Sequence, residues 1–336
     1  MIQYLIRRVA LSVLVILLVT VATFALAHAV PGDPTASIIS EKIATPEVIA
    51  QVRKKYGFDK PVPVQYALYM KNLLHGDLGQ SLTTRRPVAT DLRQFFPATV
   101  ELATFALLIA ILIGGPLGVL AAIRHNGAAD YAARGVALFG GAVPIYFLAL
   151  LAQTIFAYRL KLLPFSGRLD DGVTAPKHLT GLYTVDSLLH GQWDLLGMSL
   201  KHAIMPAFVL ASFSVGIIAR MVRSSLLDVM NNDYVRTARA KGLGERAVIG
   251  SHALRNALIP TVTVLGLTFG GLIAGAVFTE TIFRWPGIGQ YAVQTATKLD
   301  FAGILGVTLI TAFVFVVFNL VVDLLYGVLD PRIRLS

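Results

Sequence analysis

Seven histidines, His28, His75, His125, His178, His190, His202 and His252, are the residues best suited to ligate a metal or move a proton near neutral pH. They are scattered, and no H-E-x-x-H pattern sets two of them one helical turn apart. Each therefore reads as an interfacial or packing residue. There is no cysteine, which excludes disulfides, thiolate catalysis and thiolate metal sites. The phosphate-cradling pattern G-x-x-x-x-G-K-[ST] is missing, so this chain is not expected to hydrolyse ATP. Neither a nucleophile with a base nor a carboxylate pair suited to intramembrane proteolysis is visible. The expectation is a chain with no catalytic residue and no metal site.

The remaining polar candidates sit in or beside apolar runs: Glu101, Glu280, Asn319 and Asp323. A carrier driven by an ion gradient needs ionisable groups near the middle of the membrane. Glu101 and Glu280 lie near span ends, where carboxylates serve as caps or interface contacts. Asn319 and Asp323, at i and i+4, share a helical face and read as a helix–helix hydrogen-bond site before a substrate contact. A self-contained secondary carrier or channel is the alternative, and the scarcity of buried charge weighs against it.

The elements that position these residues follow from composition. Of 336 residues 55% are hydrophobic and 14% charged, with a mean hydropathy of +0.69, which is a membrane protein's balance. Apolar runs long enough to cross a hydrocarbon core lie at about 9–30, 99–123, 135–158, 203–220, 258–279 and 304–326. The reading is an all-α polytopic chain with six spans. The first run follows Arg7 and Arg8 and ends near Ala27-His28-Ala29, as a secretory signal does, but its apolar core is too long; it is read as an uncleaved anchor. Arg7, Arg8, Arg124, Arg134, Arg220, Arg223, Arg332 and Arg334 fall on one side, which is therefore expected to be cytoplasmic together with both termini. The net charge of +10 reflects this topology and attraction to lipid headgroups, and no nucleic acid is expected.

Three regions result: an N-terminal span at 1–30, an extracytoplasmic segment at 31–98, and a core of five helices at 99–336. Within 31–98, Pro31-Gly32-Asp33-Pro34 stops the first helix, and 45–56 and 64–74 read as two amphipathic helices parted by Gly57. The fifth span carries two small-xxx-small pairs, Gly266/Gly270 and Gly271/Gly275, which suit packing inside the chain and a subunit or pore interface equally. In "RWPGIG", Trp285, Pro286 and Gly287 read as a turn; Trp285 fits an interfacial anchor first and a gate beside a translocation path second.

The segment "DYVRTARAKGLGERAVIGSHALRNALIP", 233–260, packs Arg236, Arg239, Lys241, Arg246 and Arg255 around a Gly-Leu-Gly break in a loop of about 221–257. Tyr234, Val235, Arg236, Thr237, Ala238, Arg239, Ala240 and Lys241 read as a short helix with Val235 and Ala238 on one face. Gly242 supplies the left-handed residue that ends it, Leu243 and Gly244 carry the turn, and a second helix at about 245–256 reaches Arg255 and Asn256 before Pro260 opens the next span. Its apolar face is small, so it is expected to need a partner surface or the bilayer.

"YVRTARAKGL" followed by "HALRNALIP" resembles the cytoplasmic signature loop of membrane subunits of type I ABC importers. Arg236 stands where the family's commonest wording has glutamate, and Arg-Thr-Ala is similar to the wording of the peptide and nickel branch. "PGDP" at 31–34, "HGDLGQS" at 75–81, "ETIFRWPGIGQ" at 280–290 and "NLVVDLLYGVLDPRIR" at 319–334 look like the same branch, so the resemblance covers nearly the whole chain. It implies the B-type permease of a dipeptide, oligopeptide or nickel importer in a bacterial or archaeal cytoplasmic membrane. It also implies a homologous second permease, two ATPase subunits that use ATP and Mg, and an extracytoplasmic binding protein, for which 31–98 is the natural contact. Relatives carry peptides, nickel, haem, glutathione or oligosaccharides; a di- or oligopeptide is expected here.

Overall fold

The computed structural model of the chain describes residues 2–29, 45–57 and 59–329. The turn expected at 31–34 and the segment 330–334 lie outside them. In chain order the helices are α1 (Ile2–Ala29), α2 (Pro46–Tyr56), α3 (Val62–Leu74), α4 (Val88–Ile123), α5 (Ala128–Ala142), α6 (Ile145–Ala152), α7 (Tyr183–Leu189), α8 (Trp193–Met230), α9 (Asp233–Ala240), α10 (Glu245–Ala247), α11 (Arg255–Ile282), α12 (Ile288–Thr297) and α13 (Phe301–Leu329). Two π-helical stretches, Gln153–Arg159 and Val248–Leu254, extend α6 and join α10 to α11. Among the described residues no named strand forms; Gln80 and Pro87 make an isolated bridge.

Five stretches are long and apolar enough to cross a membrane, and the bent pair 128–142 plus 145–159 supplies a sixth. The third apolar run, about 135–158, forms two helices that meet at 100°. Pro144 is the cause: it has no N–H to donate and pushes Val143 to extended geometry at φ −82 and ψ 125. The helix of the second span begins at Val88, ahead of its apolar run, and that of the fourth runs from Trp193 to Met230. Those extensions are polar turns that apolar-run counting leaves out.

α8 is the most enclosed spanning helix, with 72% of its apolar stretch buried, against 11% for α1, which rests on α13. α4 supplies its main partner surface. Ala98, Ala103, Ala106 and Ala110 are fully buried there, and two glycines let the backbones touch. A Cβ on Gly114 would lie 2.8 Å from the Val215 carbonyl oxygen, and one on Gly118 would lie 2.6 Å from that of Ala219. Without a hydrophobic drive between helices in lipid, such close contact is the main source of their association.

Gly118→Ala is expected to cost about 1–3 kcal/mol through overpacking, read as a lower thermal midpoint in detergent. Gly115→Ala, with nothing within 4 Å of the new methyl group, leaves that midpoint unchanged or slightly higher. Equal midpoints for the two variants would contradict the close crossing.

Candidate functional site

At one end of the bundle the chain leaves α8, forms α9, reverses at a glycine and re-enters the bundle as α10 and α11. Thr237 Oγ1 donates to the Asp233 carbonyl inside α9 at 2.9 Å. The helix ends in a Schellman arrangement: Gly242 N–H donates to the Arg239 carbonyl at 2.9 Å and Leu243 N–H to that of Ala238 at 3.4 Å. Gly242 has φ +79, as expected, whereas Gly244 is extended at φ −64 and ψ 146. The Arg239 guanidinium reaches over the turn to Glu245, with Nε 2.7 Å from Oε1. Asn256 Nδ2 donates to Tyr234 Oη at 3.1 Å and ties the two arms together.

The apolar face of this elbow is covered by the chain itself, contrary to the expectation of a partner or lipid surface. Val235 and Ala238 pack with Val248, Ala253 and Ala257 against Ala122 at the end of α4 and Leu226 near the end of α8. Those α8 and α4 side chains are polar-flanked and read as span ends, so their availability was not visible in the elbow's own residues. What stays outside is mostly cationic: Arg236, Lys241 and Arg255 are exposed, as are Ala240 and, at 43% and 42%, Tyr234 and Leu243. The second arm does not stop before Pro260. Ala257 and Thr261, buried on both sides of that proline, hold α11 continuous through it.

A buried carboxylate braces the same end. Asp130, in the first turn of α5, accepts from Arg223 Nε at 2.7 Å and Nη2 at 3.0 Å, from Arg134 Nε at 3.0 Å, and from the Asn126 N–H at 3.0 Å. Arg223 thus links α8 to α5, while Arg134, one turn on from Asp130 in α5, holds the carboxylate within its own helix.

At the opposite end, Trp285, Pro286 and Gly287 form the turn between α11 and α12. Trp285 is not an interfacial anchor: it is 1% exposed, and its Nε1–H donates to the Ala98 carbonyl at 2.8 Å. The desolvation cost of Glu280, fully buried at the end of α11, is met by three donors. Thr99 Oγ1 lies 2.5 Å away, Gly289 N–H 2.7 Å and Gln290 N–H 3.1 Å. The carboxylate thus caps α12, where the helix N-terminus favours negative charge. Gly287 has no room for a Cβ against that carboxylate.

Glu101 caps a second element. It accepts from Thr184 N–H at 2.8 Å and Oγ1 at 2.7 Å, and it pairs with the buried Arg168. His202 bonds to the Ser166 and Gly167 carbonyls and Asp170, and no metal-holding group of three or more occurs among the described residues.

The two glycine pairs of α11 separate. Gly266 and Gly270 meet Val322 and Phe315 of α13, while Gly271 and Gly275 have nothing within 4 Å. The latter border an apolar groove of about 380 Å³ with Leu210, Phe213 and Thr268. Asn319 donates to the Phe315 carbonyl of its own helix at 3.0 Å, and the Asp323 side chain lies outside the described residues.

The family described as "Binding-protein-dependent transport system inner membrane component" matches residues 114–335, and the corresponding N-terminal family matches 1–103. The chain is 46% identical to the probable D,D-dipeptide transport system permease protein DdpB of Escherichia coli K12, covering 96% of this chain and 94% of that one. It is 44% identical to the dipeptide transport system permease protein DppB of Alkalihalophilus pseudofirmus, covering 99% and 100%. The fold matches the inward-facing MetNI methionine ABC transporter with a TM-score of 0.51 at 14% identity, over 69% of this chain and 93% of that one.

Glu280→Ala leaves the Thr99, Gly289 and Gln290 donors unmet and is expected to cost roughly 2–4 kcal/mol, seen as a lower unfolding midpoint in detergent. An unchanged midpoint would contradict the cap. Asp186 gives a pH test. Burial raises its pKa, but donors from Thr180, Gly181 and Leu179 outweigh that and hold it below the ordinary 3.8. The stability it contributes is present above the unfolded value and is lost as pH falls through the lower folded one. Protection factors of the Thr180 and Gly181 amides, corrected for the intrinsic pH dependence of exchange, should therefore hold at pH 5 and fall only below about pH 4. Asp186→Asn should remove that acid step.

Proposed function

Because the chain belongs to the family of binding-protein-dependent transport system inner membrane components, we propose that it works as the B-type permease of an ATP-driven importer that brings di- or oligopeptides into the cytoplasm. The elbow, 233–260, is the handle on which separate ATPase subunits act. One observation carries this reading: the elbow's apolar side is anchored inside the chain, so its exposed side, Tyr234, Arg236, Lys241 and Leu243, is rigid and free to be gripped.

A load on α9 passes through Val235 and Ala238 to the ends of α4 and α8. The same load passes through the π-helical junction into α11. α8 is 38 residues long, which is about 55 Å of helix, enough to carry a displacement to the opposite end. There α11 delivers Glu280, which grips Thr99 of α4 and the start of α12. Packed interfaces switch between arrangements instead of bending, so the response is a rigid-body rotation of the spans.

The partners fit the surfaces left over. A homologous second permease takes the open groove beside Gly271 and Gly275, and two ATPases bind Mg and ATP and meet the elbow. An extracytoplasmic binding protein meets the opposite end, including 45–87. The elbow and both termini face the cytoplasm, and the protein sits in the inner membrane, with lipid around α1. The chemistry of ATP hydrolysis belongs to the partner subunits; this chain supplies the path and the lever. The di- or oligopeptide assignment follows the two permeases above, whose names specify dipeptides.

Gly242→Val places a β-branched residue at φ +79, where it is strained. The variant is expected to insert and to assemble with the ATPases, yet to lose at least about 90% of peptide uptake while ATP hydrolysis continues, a loss of tenfold or more for about 1.4 kcal/mol. Normal uptake by this variant would refute the handle. Purified chain that brings no ATPase and moves peptide on an ion gradient alone would refute the importer.

A further inference from the structure

Between the first turns of α4, the 160–183 segment and the Trp285 turn lies a cavity of about 410 Å³, lined by Thr90, Arg93, Gln94, Phe95, Arg168, His178, Gly181, Tyr183 and Pro286. Two arginines, a histidine and an amide face it, and no carboxylate does. Arg168 is 6% exposed. Its Nη2 serves Glu101 and the Gly181 carbonyl, which fixes the guanidinium and offsets its charge from behind. Its Nε has no hydrogen-bond partner. The plane lies over the Tyr183 ring at 3.5 Å and near Trp285 at 5.5 Å, so the fork is held in one orientation by packing on its faces. Arg93, exposed on α4, contributes charge that no acidic side chain in the lining offsets. That Nε is closed off from the cavity, so what faces it is the charge of Arg168 and Arg93 in a lining without an acidic side chain, and an anion is the natural complement.

We propose that this cavity receives the free carboxylate of a short peptide at the mouth of the translocation path. The inference rests on the importer reading above and adds a contact for the cargo within the permease. Three features favour a peptide over a bare anion. The volume falls within the range of small-molecule sites. Phe95, Tyr183 and Pro286 give an apolar wall for a side chain beside the cationic one. The fork of Arg93, exposed at the rim, is able to present a paired N–H edge, which suits a planar carboxylate.

The test is equilibrium binding of radiolabelled alanyl-alanine to the intact permease–ATPase complex without its binding protein, in nanodiscs of uncharged phosphatidylcholine. Saturable binding is expected, displaced by unlabelled alanyl-alanine and at least about ten-fold less well by its C-terminal amide. Inorganic phosphate should displace it no better than the amide does. Arg93→Gln should weaken binding several-fold and Arg93→Lys should restore most of it; Arg93 is exposed, so folding is preserved where Arg168→Gln would strand Glu101. Equal displacement by peptide and amide, strong displacement by phosphate, or unchanged binding in Arg93→Gln would each overturn the proposal. So would a lack of saturable binding in a complex whose ATPase still responds to the binding protein, and that result would leave the importer reading standing.

Discussion

Burial of Val235 and Ala238 against Ala122, Leu226 and Val248 is the contact on which the rest depends. It converts a short, highly charged helix, which on its own has too little apolar surface to stay folded, into a fixed extension of two spanning helices. Remove that contact and the elbow becomes a mobile loop, from which no force can reach the spans. With it in place, the Schellman turn at Gly242 and the Arg239–Glu245 pair only set the angle between arms that are already anchored.

The two ends of the bundle are built on opposite principles. At the elbow end, apolar anchoring faces inward and cations face outward, as a docking surface requires. At the opposite end, buried carboxylates do the joining: Glu280 binds α11 to α4 and α12, and Glu101 binds α4 to Arg168 and α7. Each carboxylate is surrounded by donors, so breaking it open costs far more than sliding an apolar face. The arrangement lets α4 and α11 move as rods while their far-end connections stay intact.

Much of this was legible in the residues. Gly242 followed by Leu243 announced the reversal, because only glycine adopts the left-handed geometry at no steric cost. Five spans, and the sixth as a region, followed from apolar runs. The joints were not legible, because their partners lie far apart in sequence: Arg168 meets Glu101 across 67 positions, Arg223 meets Asp130 across 93, and Thr99 meets Glu280 across 181. Trp285 misled for the same reason, since a tryptophan beside a span end suits the interface until a distant carbonyl, that of Ala98, takes its N–H. The fate of Gly271 and Gly275 as opposed to Gly266 and Gly270 depends on which side α13 occupies, and spacing carries no information on that.

The central claim is that the elbow and α8 move as one body. Its most direct measurement is a pair of pulsed electron–electron distance experiments on the assembled transporter, with and without trapped ATP. Spin labels at Arg236 and Ser224 of one chain should keep the same separation in both states, while Arg236 and its counterpart on the second permease change theirs. If instead the Arg236–Ser224 distance shifts with nucleotide and the distance between permeases does not, the elbow is a flexible loop and the lever does not exist.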